Sequence, residues 1–78
     1  MKLPSEVRIR AGGMSQVIST VEQAIESIDK RFPPEVANLP RWTFARALLV
    51  EALKTEKSRD MKAAMRQLQQ ALRNEKWI

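Results

Sequence analysis

The only two glycines of this chain stand side by side at Gly12-Gly13, directly after a stretch in which Val7, Ile9 and Ala11 alternate with Arg8 and Arg10. Alternation at period two is the pattern of a half-buried strand, and paired glycines supply the positive φ angles of a two-residue hairpin loop. The spacing predicts a β-hairpin over residues 6–19 in which Ala11 faces Met14, Ile9 faces Gln16 and Val7 faces Ile18. Val7, Ile9, Met14 and Ile18 then share the core face, while Arg8, Arg10, Ser15 and Val17 point the other way. A lone hairpin is marginal in water, so helices must cover its apolar side.

Three helices are predicted. Ser19 precedes Glu22, and Thr20 precedes Gln23, with capping-box spacing, which starts a helix over residues 20–32. Val21, Ala24, Ile25, Ile28 and Phe32 form its apolar stripe. Pro33-Pro34 ends it, and residues 33–39 read as a connection with Val36 and Leu39 tucked inward. Pro40 suits a helix N-terminus and opens a second helix over 40–56, whose apolar residues, from Trp42 to Leu53, cover more than one stripe and so face several neighbours. Ser58 is placed to cap a third helix over 59–75, with Asp60 near the positive end of its dipole. There Met61, Ala64, Met65, Leu68, Ala71 and Leu72 form a core stripe opposite Lys62, Arg66, Gln69 and Arg73. Residues 1–78 thus read as one α+β domain, a two-stranded antiparallel hairpin packed on three helices in the order ββααα.

Composition narrows function. With no His and no Cys in 78 residues, the chain lacks the usual general base near neutral pH, a thiolate nucleophile, disulfides and the commonest zinc ligands. A domain this small has a shallow core and little depth for a substrate pocket. No apolar run is long enough for a signal peptide or membrane span, and a small secreted domain usually relies on disulfides, so the expected compartment is the cytoplasm. The 14 Lys+Arg against 9 Asp+Glu bias encounters toward anionic partners.

Each chemical feature has a structural explanation to compete with. Glu22, Glu26 and Asp29 share a helix face, but carboxylates on a convex helix diverge into water, and acids early in a helix suit its dipole. The serines lack an adjacent base other than lysine. Gly12-Gly13 lacks the downstream Gly-Lys-Ser/Thr and the helix of a phosphate loop. Arg8 and Arg10 on the hairpin, with Lys62, Arg66 and Arg73 on the third helix, are placed to meet phosphates, although mixed surface charge is normal in water-exposed domains and no aromatic residue accompanies the basic strand to stack bases. The second and third helices, each about 16 residues, are too long for a helix-turn-helix and suit an antiparallel helical hairpin. Trp42 fits the core. Trp77 is either a plug or an anchor for a partner. Met61 and Met65 fit core packing better than a partner-binding stripe.

The Val7-x-Ile9 strand, the Val17-Ile18-Ser19-Thr20-Val21-Glu22-Gln23-Ala24 junction, the Phe32-Pro33 pair, and the alanines Ala45, Ala52, Ala64 and Ala71 together resemble a small bacterial family catalogued as domain of unknown function 982. Members commonly carry Trp where this chain has Phe32 and often a Cys in the second helix, where it has none. The resemblance implies a stand-alone cytoplasmic protein and transfers no catalytic residue. The resulting expectation is a non-enzymatic interaction or regulatory protein with no metal, cofactor, membrane or small-molecule substrate. It binds a protein partner, or its own copy as a homodimer, through Trp77, Ile78 and Trp42. Nucleic-acid binding through Arg8, Arg10, Lys62, Arg66 and Arg73 is the alternative.

Overall fold

The computed structural model describes residues 1–11 and 14–78. The expected Gly12-Gly13 loop and the core position of the Met14 side chain lie outside the described residues. Strands β1 (Lys2–Ala11) and β2 (Met14–Thr20) pair antiparallel, with Val7 opposite Ile18, Ile9 opposite Gln16 and Ala11 opposite Met14, the register that the alternation predicts. β1 begins earlier than expected because Leu3 adds a further buried side chain to the apolar face. An irregularity in register between Lys2 and Val7 accommodates Pro4, which has no N–H to give to a ladder.

Helix α1 (Val21–Glu26) opens on a complete capping box. The Gln23 backbone N–H donates to Thr20 Oγ1 at 3.1 Å, and Gln23 Oε1 accepts from the backbone N–H groups of Ser19 at 2.8 Å and Thr20 at 3.3 Å. Thr20, rather than Ser19, is therefore the cap. The expected helix to residue 32 widens into a π-helical turn at Ser27–Arg31, where the Phe32 N–H donates to Ser27 O at 2.8 Å. A residue before proline is driven out of the α region, and Phe32 is extended at φ −78°, ψ 147°. The wider turn buries Ser27, whose hydroxyl accepts from Gln16 Nε2 at 2.7 Å, so the buried oxygen is satisfied.

The expected connection contains a short helix, α2 (Pro34–Ala37), with Pro34 at its first position, where a missing N–H costs nothing. Val36 and Leu39 pack against the core, as expected. Helices α3 (Pro40–Thr55) and α4 (Ser58–Asn74) complete the chain, so the helical part comprises four pieces rather than the three of ββααα. α3 stops at Glu56, which turns left-handed at φ 55°. Ser58 does not cap α4: Lys57 holds the cap position without a side-chain bond, and Ser58 is already helical. Asp60 instead accepts from Thr55 Oγ1 at 2.5 Å, which fixes the turn between the helices.

α3 and α4 lie antiparallel. Arg41 and Trp42 reach Glu75 at one end, and Thr55 reaches Asp60 at the other. Ala45 and Ala52 on α3, and Ala64 and Ala71 on α4, are seven residues apart and fully buried, so small side chains let the two backbones approach along the seam. Leu49, Leu68 and Leu72 fill the layer beneath the hairpin residues Val7, Ile9 and Ile18; each such burial is worth about 1.5–3 kcal/mol. No helix among the described residues is long and apolar enough to cross a membrane. Ala64→Leu should force α3 and α4 apart and lower stability by about 2–3 kcal/mol in urea denaturation; an unchanged midpoint would show that the seam is loose.

Candidate anion-binding surface

The end of α4 determines what the surface offers. Lys76 turns left-handed at φ 60°, the Trp77 N–H donates to Leu72 O at 3.0 Å and the Lys76 N–H to Arg73 O at 3.0 Å. This is the Schellman pattern, with lysine where glycine is usual. The reversal returns the chain to β1, where the Arg10 N–H donates to Trp77 O at 2.7 Å. The Trp77 ring lies 5.0 Å from Phe32 and 6.1 Å from Trp42, and Phe32 lies 5.1 Å from Trp42. Trp77 is a plug rather than an exposed anchor.

Trp42 does not fit a partner surface at all. It is fully buried at 0% exposure, and its indole Nε1–H donates to Glu75 Oε2 at 3.4 Å, so no partner can reach it. Its ring serves the core because a large apolar body with one polar edge fits beside a single carboxylate. Met61 and Met65 are also buried. Of the expected apolar contacts only Ile78 remains substantially exposed, at 48%.

The predicted basic residues meet a different fate. Arg8, Arg10, Lys62, Arg66 and Arg73 are all exposed, and none of them joins a salt bridge among the described residues. Arg8 and Arg10 line one shallow hollow with Lys76, Trp77 and Ile78. Lys62 and Arg66 line another with Arg59 and Ala63, and Lys62 also borders Lys2 across a third, which the exposed carboxylate of Glu56 shares. β1 therefore runs alongside α4, with Lys2 near its start and Arg10 near its end. The two carboxylates that α4 and its cap contribute are withdrawn from this side, Asp60 to Thr55 and Glu75 to Arg41 and Trp42. The outer side of α4 is left with cations and neutral groups over about 25 Å of helix. Glu6 is the exposed carboxylate on the neighbouring strand.

Sequence reading missed Arg59 and Lys76 as members of this surface. Arg59 sits three residues before Lys62, on the same helix face, which is a legible signal. Lys76 reaches Arg8 and Arg10 only through the left-handed reversal, which has no local signature.

The acids gather elsewhere. Glu22 is held by the Met1 ammonium at 2.9 Å, and Asp29 by Arg46 in a two-bonded pair at 2.7 and 3.0 Å. Hydrogen bonding to the ammonium holds the Glu22 carboxyl below its ordinary value, and hydrogen bonding to Arg46 does the same for Asp29. Asp29 and Arg46 border a hollow shared with Thr43 and Asn38, but a carboxylate already neutralised by a guanidinium is a weak base for activating a hydroxyl. Comparison with family models, with curated proteins and with solved structures returned no match.

Two outcomes follow from this geometry. Trp77→Ala removes one ring of the three and should cost about 2–3 kcal/mol, with the remaining tryptophan emission shifted to the red; full retention of stability would show that the tail is not docked. Asp29→Asn should cost under about 1 kcal/mol at neutral pH, since the pair is partly exposed and screened. Because the folded-state value is lowered, the stabilisation is fully present above the ordinary aspartate range near about 4 and is lost as pH falls through the lower folded value. The wild-type advantage should vanish in acid-denaturation series below that point; an advantage that grows in acid would contradict the pairing.

Proposed function

We propose that this chain is a non-catalytic binding protein that grips the phosphate backbone of a double-stranded nucleic acid with the side formed by β1 and α4. The observation that carries the reading is the disposition of charge on α4. Its acids turn inward to α3, while Arg59, Lys62, Arg66 and Arg73 stay exposed, and Arg8, Arg10 and Lys76 line a second hollow where the chain returns to β1. Cations that join no ion pair among the described residues meet phosphates without first breaking one, and they release counterions on doing so.

A duplex fits better than a single strand. Single-strand binders stack bases on exposed rings, whereas here the Trp77 ring is held among Phe32 and Trp42, and the exposed ring of Phe44 is carried by α3. The reading through apolar anchors falls behind for the same reason, since Trp42 is buried and Trp77 is docked. Contacts limited to phosphate position a protein without reading sequence, so low sequence preference is part of the proposal. Kinship with domain of unknown function 982, on the residues from Val17 to Ala24, and residence in the cytoplasm belong to the same proposal.

The test is fluorescence anisotropy with a 20-base-pair DNA duplex of mixed sequence, and with the matching RNA duplex to separate the two sources of phosphate. Contacts to about five phosphates give a log–log salt slope of about −4 to −5, a loss of several hundredfold from about 50 to about 200 mM salt. The double substitution Lys62→Ala and Arg66→Ala should reduce the slope by about 2 with the helical circular dichroism intact. Lys30→Ala, beside Asp29 in the π-helical turn, should leave binding unchanged. Absence of binding at low salt, or equal losses in both variants, would overturn the reading.

A further inference from the structure

A two-stranded sheet has two free edges, and here they differ. β1 carries Lys2, Pro4, a register irregularity, Arg8 and Arg10, all features that discourage addition of another strand, and its Arg10 N–H is already taken by Trp77 O. β2 reads Met14-Ser15-Gln16-Val17-Ile18-Ser19-Thr20, with no charge and no proline.

The direction of the Arg10 N–H fixes which groups of β2 are free. It points away from β2, so Arg10 and Ser15 form a non-hydrogen-bonded pair, as do Arg8 and Val17 two residues along. The backbone N–H and C=O groups of Ser15 and Val17 therefore point outward from the free edge. Among the described residues no backbone group outside the strands bonds them. Val17 is 48% exposed on the open face of the sheet.

We propose that a second copy of this chain pairs its β2 antiparallel with this one about a two-fold axis at Val17, giving a continuous four-stranded sheet in the order β1-β2-β2-β1. The occupant follows from the strand itself. The residues on the open face, Ser15-x-Val17-x-Ser19, read the same in both directions, so a two-fold axis sets valine against valine and serine against serine. An isologous contact of this kind closes after two copies. The Val17 groups exchange two hydrogen bonds, and each Ser15 N–H meets the Ser19 carbonyl of the other copy. The ladder stops there, because the Ser19 N–H is already held by Gln23 Oε1 at 2.8 Å. Arg8 lies one strand further out, so no like charges face each other across the new pair. The joined sheet carries Arg8 and Arg10 twice on one face.

Light scattering in nucleic-acid-free buffer, from about 1 μM to about 1 mM, should show the mass rising from 9.0 kDa toward twice that value. Val17→Lys sets two lysines opposite each other and should weaken association by at least about tenfold, with circular dichroism unchanged; if this variant fails to fold, Ser15→Lys at the same exposed edge takes its place. Hydrogen exchange of the Val17 amide should slow as wild-type concentration rises. A mass fixed at the monomer value throughout, or a dimer undiminished in the folded variant, would overturn the proposal. These outcomes are independent of phosphate binding, which rests on the cationic side chains and is measured with duplex present.

Discussion

The mutual packing of Phe32, Trp42 and Trp77 holds the rest of the structure in place. Each ring comes from a different part of the chain, Phe32 from the residue after the π-helical turn, Trp42 from the first turns of α3 and Trp77 from the segment beyond α4. Pairs of this kind add about 0.5–1.5 kcal/mol each beyond the burial of their area. In a domain with so shallow a core, such a cluster ties the ends of the helical segments to one another, and the bond from Arg10 N–H to Trp77 O joins them to the sheet. Without the cluster the tail has the Schellman bonds, one bond to Arg10 and the Glu75–Arg41 pair to hold it.

Docking of the tail has two consequences for the surface. It carries Lys76 to Arg8 and Arg10, and it brings Glu75 inward to Arg41 and Trp42. One carboxylate is thereby removed from the side on which cations accumulate, as Thr55 removes Asp60 at the other end of α4. Two acids of the first helical segment are meanwhile neutralised in place, Glu22 of α1 by the terminal ammonium and Asp29 of the π-helical turn by Arg46. The separation of charge arises from which acids find internal partners, more than from the net charge of +5. The tail also covers the edge of β1, so that β2 keeps the free edge.

Those features set by local chemistry were legible in the sequence. The register of the hairpin followed from period-two alternation and the paired glycines, and the antiparallel pairing of α3 and α4 from the length of the two helices. Features set by competition between distant groups were not legible. Phe32-Pro33 marked the end of the first helix, yet nothing local showed that its last turn would widen to bury Ser27 under Gln16. Pro33-Pro34 read as a breaker, although Pro34 is a good first residue for the short helix that forms. Trp42 was read both as a core residue and as a candidate partner contact, because the residue types that anchor interfaces also fill cores; the Glu75 carboxylate and the rings of Phe32 and Trp77 hold it in the core. The basic residues were correctly placed on the outside, but their freedom from ion pairs depended on where Asp60 and Glu75 turned.

The most direct measurement is a residue-resolved NMR titration of the labelled protein with a short duplex. The account predicts shifts confined to Arg8, Arg10, Lys76 and the outer side of α4 from Arg59 to Arg73, with the Trp42 indole signal unmoved. Shifts clustered around Glu22 and Asp29, or none anywhere at low salt, would contradict it.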